Sequence, residues 1–275
     1  MPRRLSMDLL PPALRGRAWG LWYQYVNRLL GERPIRFLNF GYAPHHPFEP
    51  IVPLAEEDEP DRLSIQLYQR VLMGMDLKER HVLEVSCGRG GGAWYVVRYC
   101  KPLMMMGTDR SPSAIAFCAT AYGSSNLVFR VADAEKLPFL DDTFDAVLNV
   151  EASHAYPRVG RFLSEARRVM RPGGVLLLAD FRPRTRLGRC EAEFGGAGLA
   201  IEAREEISLG VLAALKRGAQ VRWKLIQELA PRRLRPFFRN FAGVPRSRVF
   251  RGLADGELAY MCYRLRRPLL TLPAQ

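Results

Sequence analysis

Along the middle of the chain, short runs of apolar and β-branched residues alternate with longer stretches whose apolar positions recur every three or four residues. The short runs, at residues 81–86, 103–108, 127–131, 146–150 and 175–179, read as strands buried on both faces. Helices fit between them at 92–100, 111–122 and 158–170, and Pro172, Gly173 and Gly174 supply a turn into the fifth strand. Strand and helix in alternation predict a doubly wound α/β fold, a mainly parallel sheet with helices on both faces.

The flanks follow different patterns. Residues 14–30 carry apolar and aromatic side chains at helical spacing, closed by Gly31, which predicts an amphipathic helix outside the sheet. Residues 33–60 include Pro34, Pro44, Pro47, Pro50, Pro53 and Pro60, which deny the backbone a regular ladder, so this stretch reads as an arm. Four acidic residues, 56–59, then lead into a helix at 61–75, their charge complementing its dipole. Beyond the fifth strand the pattern predicts helices at 204–217 and 221–229 and a terminal strand at 257–265. The organisation is therefore an N-terminal helix and lid arm over residues 1–75 and a core over 76–275, with substrate-covering helices at about 200–240.

Length and apolar content suit one main domain with a full three-layer core, and no apolar run approaches the roughly 18–20 residues of a membrane span. The five cysteines, Cys87, Cys100, Cys118, Cys190 and Cys262, are widely spaced without a C-x-x-C pair, which suits reduced thiols in a cytoplasmic protein. A net charge of +13 raises the question of a polyanionic partner. Arginine, however, supplies 36 of the 41 basic residues, a bias that GC-rich coding produces by itself. Apart from clusters at Arg182, Arg184, Arg186 and Arg189 and at Arg232, Arg233 and Arg235, the arginines read as scattered, so no nucleic-acid partner is expected. A peripheral membrane contact and a homodimer stay open. The acids and histidines lack paired metal-ligand spacing, so no metal is expected.

Candidate chemistry collects at the carboxyl ends of the strands. The first runs into Glu84-Val85-Ser86-Cys87-Gly88-Arg89-Gly90-Gly91-Gly92, where glycines let a ligand approach the backbone; dinucleotide enzymes and plain tight turns use the same pattern. Asp109 follows the second strand, placed to accept both hydroxyls of a ribose or to cap the next helix. Asp133 and Ala134 follow the third, an acceptor for an adenine amino group beside an apolar surface. Three such marks at successive strand ends point to a nucleoside-containing cofactor bound at the sheet's carboxyl edge.

These segments resemble the class I S-adenosylmethionine-dependent methyltransferases: VLEVSCGRGGGA at 82–93, GTDRS at 107–111, VADAEKLPF at 131–139, FDAVLNVEASHAYP at 144–157 and RVMRPGGVLLLADF at 168–181. Within that superfamily the chain is similar to bacterial enzymes related to the phthiotriolone and phenolphthiotriolone dimycocerosate methyltransferases, through LNFGY at 38–42, DEPDRLSIQLY at 58–68 and NVEASH at 149–154. The resemblance implies a seven-stranded Rossmann-like sheet, S-adenosylmethionine as cofactor and O-methylation of a lipid-like or polyketide hydroxyl. It also implies that Glu84, Gly88 and Gly90 line the methionine and ribose portion, Asp109 with its neighbour Arg110 the ribose, and Asp133 with Ala134 the adenine. Ser86 stands where the pattern usually has glycine, which bears on cofactor affinity.

His154, just beyond the fourth strand, is the candidate base, because imidazole titrates near neutrality; a histidine that only supports the site explains the position equally well. Glu151 is a second polar candidate, or a residue holding the loop by backbone hydrogen bonds. Tyr42 and Tyr68 are placed to close over the cofactor, Tyr68 equally a core aromatic. Trp19, Trp22, Tyr23 and Tyr25, with the 209–215 helix and Phe237, Phe238 and Phe241, are candidates for an apolar acceptor pocket or for plain core. Methylation of carbon or nitrogen in a small natural product, a non-methylating scaffold that keeps the cofactor, and an RNA-binding relative are the competing readings.

Overall fold

The computed structural model describes residues 12–46 and 48–269; the basic run at the N-terminus and Pro47 lie outside them. In chain order the elements are α1 (Pro12–Leu30), α2 (Arg62–Leu72), β1 (His81–Val85), α3 (Gly91–Tyr95), β2 (Met104–Asp109), α4 (Pro112–Ala121), β3 (Leu127–Val131), β4 (Phe144–Val150) and α5 (Val159–Val169). They continue with β5 (Met170–Pro183), α6 (Leu187–Gly196), β6 (Ala200–Glu206), α7 (Ser208–Arg217), α8 (Ala219–Leu229), α9 (Arg235–Phe241), α10 (Arg248–Ala254) and β7 (Leu258–Arg266). Short 3-10 turns precede α2, α5 and α6, and a wide π-turn at Val96–Cys100 extends α3.

The seven strands form one sheet in the order β3-β2-β1-β4-β5-β7-β6, parallel except that β7 runs antiparallel to both neighbours. Strand order reverses beside β1, which pairs with β2 on one side and β4 on the other, so a crevice opens beyond their carboxyl ends. The pairing of Val85 with Thr108 and of Asp109 with Val131 brings the turn after β1, Asp109 and the Asp133 loop to one edge.

Alternate residues of the central strands feed two cores. Val82, Leu148 and Leu177 face α2, α3 and α7, whereas Leu83, Val147 and Leu176 face α5 and α6. Each fully buried aliphatic contributes on the order of 1.5–3 kcal/mol. A third cluster excludes the sheet: Trp22, Val26 and Leu30 of α1 pack on Ile226 and Ala230 of α8 and Phe238 of α9. As its patterning implies, α1 lies outside the sheet, and Gly31 closes it at φ 54°. No helix among the described residues is long and apolar enough to cross a membrane.

Three expectations need correction. Pro172, Gly173 and Gly174 form a bulge inside β5: pairing jumps from Phe144↔Met170 to Ala146↔Val175, and β7 keeps the loose backbone bonded through Gly173 N to Arg267 O and Arg267 N to Gly174 O. Residues 200–206 form the edge strand β6, and the helix expected from 204 begins at Ser208. Good helix formers fill that stretch, but pairing with β7 overrides their local preference. The helices α6, α9 and α10 are further additions: Gly188, Gly195 and Gly196 in the first, Pro236 in the second and Gly252 in the third interrupt the apolar pattern of these short segments.

Candidate active site

Where β1 ends, the chain turns through three residues with positive φ, Ser86 (62°), Gly88 (55°) and Gly90 (75°). A Cβ at Gly88 would point into open space, so this side of the turn is free to take a ligand. Gly90 faces the other way, with a Cβ coming within 2.9 Å of Phe129, Tyr122 and Cys118. It bends the turn into α3 and, contrary to expectation, does not line the cavity. Ser86 tolerates a left-handed conformation that costs a non-glycine residue roughly 1–2 kcal/mol. Its Oγ lies 2.6 Å from the Tyr156 hydroxyl, which also accepts from Asn149 Nδ2 at 2.8 Å. The serine that replaces the usual glycine thus has a local partner.

Arg89 ties this turn to the chain leaving α1. Its side chain is 1% exposed and donates to the carbonyls of Ile35, Gly31 and Arg33 at 2.6, 3.0 and 2.8 Å, with the guanidinium 3.5 Å from the Phe117 ring centre. The helix C-terminus and an aromatic face stand in for the carboxylate that a buried arginine ordinarily requires.

The predicted acids divide into two layers. Asp109 lines the cavity, accepting from Gly88 N through Oδ2 (2.9 Å) and from Ser111 N through Oδ1 (2.8 Å). Burial raises its pKa against the pull of those amides. The cap of α4 is Ser111, whose Oγ accepts from Ala114 N. Asp133 and Ala134 also line the cavity, Asp133 accepting from Glu135 N at 2.9 Å, and Arg110 stands beside them. Glu84 does not reach the cavity. It is 1% exposed beneath Tyr68, which lines the wall and donates its hydroxyl to Glu84 Oε1 at 2.5 Å; burial pushes the Glu84 carboxyl up to about 7. Its Oε2 has no hydrogen-bond partner. A Cβ on Gly92 would come within 2.1 Å of the Tyr68 ring, so glycine is required for that contact.

Glu151, with φ 51°, fastens the arm to the sheet: its carboxyl accepts from Phe40 N at 2.9 Å and from the Tyr260 hydroxyl at 2.9 Å. Arg222 holds the other side of the same loop through the carbonyls of Asn39 and Phe40. Burial pushes the Glu151 carboxyl from 4.5 up to about 8, with the Phe40 amide and the Tyr260 hydroxyl opposing it. Its contribution to stability is therefore present in full below about 4.5 and lost as pH rises through about 8. Glu84 titrates within the same window. Glu151→Gln keeps an acceptor without the titration, so its urea midpoint is expected to fall less between pH 5 and pH 9 than that of the wild type. Equal slopes for the two proteins would show that Glu151 is ionised throughout.

His154 meets an acid that pattern reading missed. Asp180, 3% exposed at the end of β5, accepts from His154 Nδ1 (2.9 Å), His154 N (2.8 Å) and Ser153 Oγ (2.7 Å), and pairs with Arg182 at 3.0 Å. Burial alone would raise its pKa; Arg182 and His154 hold it well below the usual carboxylate range. The imidazole lies between Phe181 (ring centres 4.6 Å apart) and Trp19 of α1 (5.8 Å, edge-on). With Nδ1 engaged by Asp180, Nε2 is the ring nitrogen left for chemistry. An acid directly after the expected end of the fifth strand, the same mark that singled out Asp109 after the second, was the available signal.

Ser86, Asp109, Asp133, Ala134, Glu151 and His154 line one cavity of about 1370 Å³, beyond the roughly 300–1,000 Å³ of a single small-molecule site. Trp19, Tyr23 and Asn27 of α1 and Phe37 to Phe40 of the arm roof it, and Phe241 and Val249 close one side. Trp22, Phe237 and Phe238, candidates for the acceptor pocket, instead pack on one another in the roof. Tyr42 also lies away from the cavity: its ring fills the space over Gly210 and its hydroxyl donates to Glu49 at 2.5 Å, so it secures the arm to α7.

Comparison with known proteins decides the family. The family described as "Methyltransferase domain" matches residues 83–178. The chain is 39% identical, over 247 residues, to the phthiotriol/phenolphthiotriol dimycocerosates methyltransferase of Mycobacterium leprae (strain TN), covering 90% of this chain and 91% of that one. It belongs to the S-adenosylmethionine-dependent methyltransferases. The methyltransferase is also 36% identical over 252 residues to the fatty-acid O-methyltransferase of Mycolicibacterium smegmatis (strain ATCC 700084 / mc(2)155), with 92% of this chain and 90% of that one covered. Solved structures share its fold: the [4+2]-cyclase SpnF (TM-score 0.68, 20% identity, 92% and 95% covered) and the StiE O-MT (0.65, 19%, 90% and 92%). The open face of Gly88 and the acceptors Asp109 and Asp133 are chemically suited to a nucleoside-containing cofactor, and His154 lines the same cavity.

Proposed function

We propose that the methyltransferase O-methylates a hydroxyl group of an apolar, lipid-like acceptor, with His154 as the base. The observation that carries this is the bond from His154 Nδ1 to Asp180, which orients the ring and leaves Nε2 to take the hydroxyl proton. When bound, S-adenosylmethionine supplies an electrophilic methyl group. Asp109 with Arg110 beside it would hold the ribose, and Asp133 with Ala134 the adenine. Tyr68, braced by Glu84, and the glycine turn with Ser86 would line the methionine end. Trp19, Phe181 and Phe241 offer apolar walls for the acceptor.

A hydroxyl is favoured over a carboxylic acid by the oriented imidazole, because a carboxylate needs no base. Arg182, beside His154, is engaged by Asp180 and donates to Ser153 Oγ at 2.6 Å. The relatives' names, one a phthiotriol methyltransferase and one a fatty-acid O-methyltransferase, support a long lipid as acceptor. The test is incubation with S-adenosylmethionine and matched long-chain alcohols and acids, followed by mass spectrometry and alkaline hydrolysis. A gain of one methyl group stable to alkali is expected. A labile product formed only from the acids would remove both the hydroxyl and the base. We place the methyltransferase in the cytoplasm, a reading supported by its five free cysteines.

A further inference from the structure

The basic residues that look scattered along the chain are concentrated in two segments of the sequence. Residues 216–251, which form most of α8, α9 and α10 and their connections, contain eleven lysines and arginines and a single acid, Glu228. Residues 12–30, which form α1, add three arginines and no acid. These two segments account for a net charge equal to the +13 of the whole chain, so the remainder is close to neutral. Arg232 and Arg233 are exposed in the turn between α8 and α9, with Lys224 exposed on α8.

Exposed apolar residues share this roof. On α1, Leu14, Leu21, Tyr25 and Arg28 recur at intervals of seven, four and three, which places them on one stripe. Leu14 is 52% exposed, Leu21 68% and Tyr25 36%, and the buried stripe of the same helix carries Trp22, Val26 and Leu30. Tyr25 sits at the seam with α9, its ring 6.4 Å from Phe238, while Leu234 at the head of α9 is 38% exposed directly after Arg232 and Arg233. Leu14 also lines the cavity, so the stripe begins at its rim.

We propose that the roof formed by α1, α8 and α9 docks on an anionic lipid surface, with Leu21, Tyr25 and Leu234 entering the headgroup layer and Arg28, Arg232 and Arg233 pairing with lipid phosphates. Apolar side chains interleaved with arginines suit such an interface, where both buried apolar area and surface charge add to binding. A nucleic-acid backbone would use the arginines and leave the leucines in water. A second copy of the chain would set arginine against arginine across a two-fold axis. The preference for lipid rests on the acceptor class proposed above, because an apolar acceptor must be drawn from a membrane and the cavity rim meets this face.

The test is co-sedimentation of the full chain with vesicles of phosphatidylcholine alone and of phosphatidylcholine with phosphatidylglycerol in equal parts, without acceptor or cofactor. Association with the anionic vesicles is expected to be at least about tenfold stronger, and to weaken at least about tenfold in the double variant Arg232→Glu, Arg233→Glu. The pair Leu21→Ser, Leu234→Ser is expected to weaken it severalfold at unchanged salt dependence. Unchanged S-adenosylmethionine affinity in both variants establishes that they are folded, and turnover of a short soluble alcohol is expected to stay unchanged. Equal binding to both vesicle types would overturn the proposal. So would displacement by single-stranded RNA together with indifference to the leucine changes, which assigns the face to nucleic acid. Since vesicle binding needs no methyl transfer, a failure here is separable from a failure of the acceptor assignment.

Discussion

His154→Gln is expected to lower kcat for a hydroxyl acceptor by roughly 100- to 10,000-fold, the range for removing a positioned general base, while leaving S-adenosylmethionine affinity within about twofold. Glutamine can still reach Asp180 with an amide hydrogen but cannot carry a proton away. Asp180→Asn is expected to lower kcat as well, because Nδ1 loses the acceptor that selects the productive ring state. It also strands Arg182, whose buried ion pair with Asp180 is worth about 3–5 kcal/mol to break from one side, so urea denaturation must accompany the kinetics. If His154→Gln turns over at the wild-type rate, the imidazole serves only to seat Phe181, against which it lies tilted, and Trp19, which it meets edge-on.

Asp109→Ala is expected to weaken S-adenosylmethionine binding by about 100-fold or more, equivalent to about 2.7 kcal/mol. Two effects combine. The variant removes the carboxylate proposed to accept the ribose hydroxyls, and hydrogen bonds to a charged group contribute about 1.5–3 kcal/mol each. It also releases Gly88 N and Ser111 N, loosening the turn that faces the ligand and leaving two amides unpaired at about 1–3 kcal/mol each. Calorimetric titration with S-adenosylmethionine and S-adenosylhomocysteine reads the first effect, and thermal unfolding without ligand reads the second. Loss of stability at unchanged affinity would mean that Asp109 only braces the turn and that the ribose lies elsewhere in the cavity.

The fold does not select among chemistries. A [4+2]-cyclase and an O-methyltransferase superpose on this chain equally well, at TM-scores of 0.68 and 0.65. What separates one activity from another is the handful of side chains at the carboxyl edge of the sheet. Here the group proposed to do so is the set of Ser153, His154, Asp180 and Arg182, drawn from the turn after β4 and the end of β5.

Local sequence by itself determined the parts whose logic is local. Central strands buried on both faces must be continuously apolar, so β1, β2, β4 and β5 declared themselves, whereas β3, expected to be buried as well, is an edge strand of the sheet with Val128 and Val131 exposed. A chain that turns sharply with one face open favours glycine at Gly88, and acids at or just beyond the ends of β2 and β3 arrive at the sheet edge wherever those strands pair in parallel. The amphipathic period of α1 likewise implied a helix outside the sheet. Only the tertiary structure decided what depends on partners distant in sequence. β6 exists because β7 offers a ladder to a segment otherwise suited to a helix, and the bulge at Gly173 survives because Arg267 supplies its missing hydrogen bonds. Asp180 reaches His154 across 26 residues, Tyr68 screens Glu84 from the cavity, and Tyr42 turns to Gly210 and away from the cavity. The physical reason is the same in each case: a side chain's direction and its buried neighbours are set by packing between elements, which no local pattern encodes.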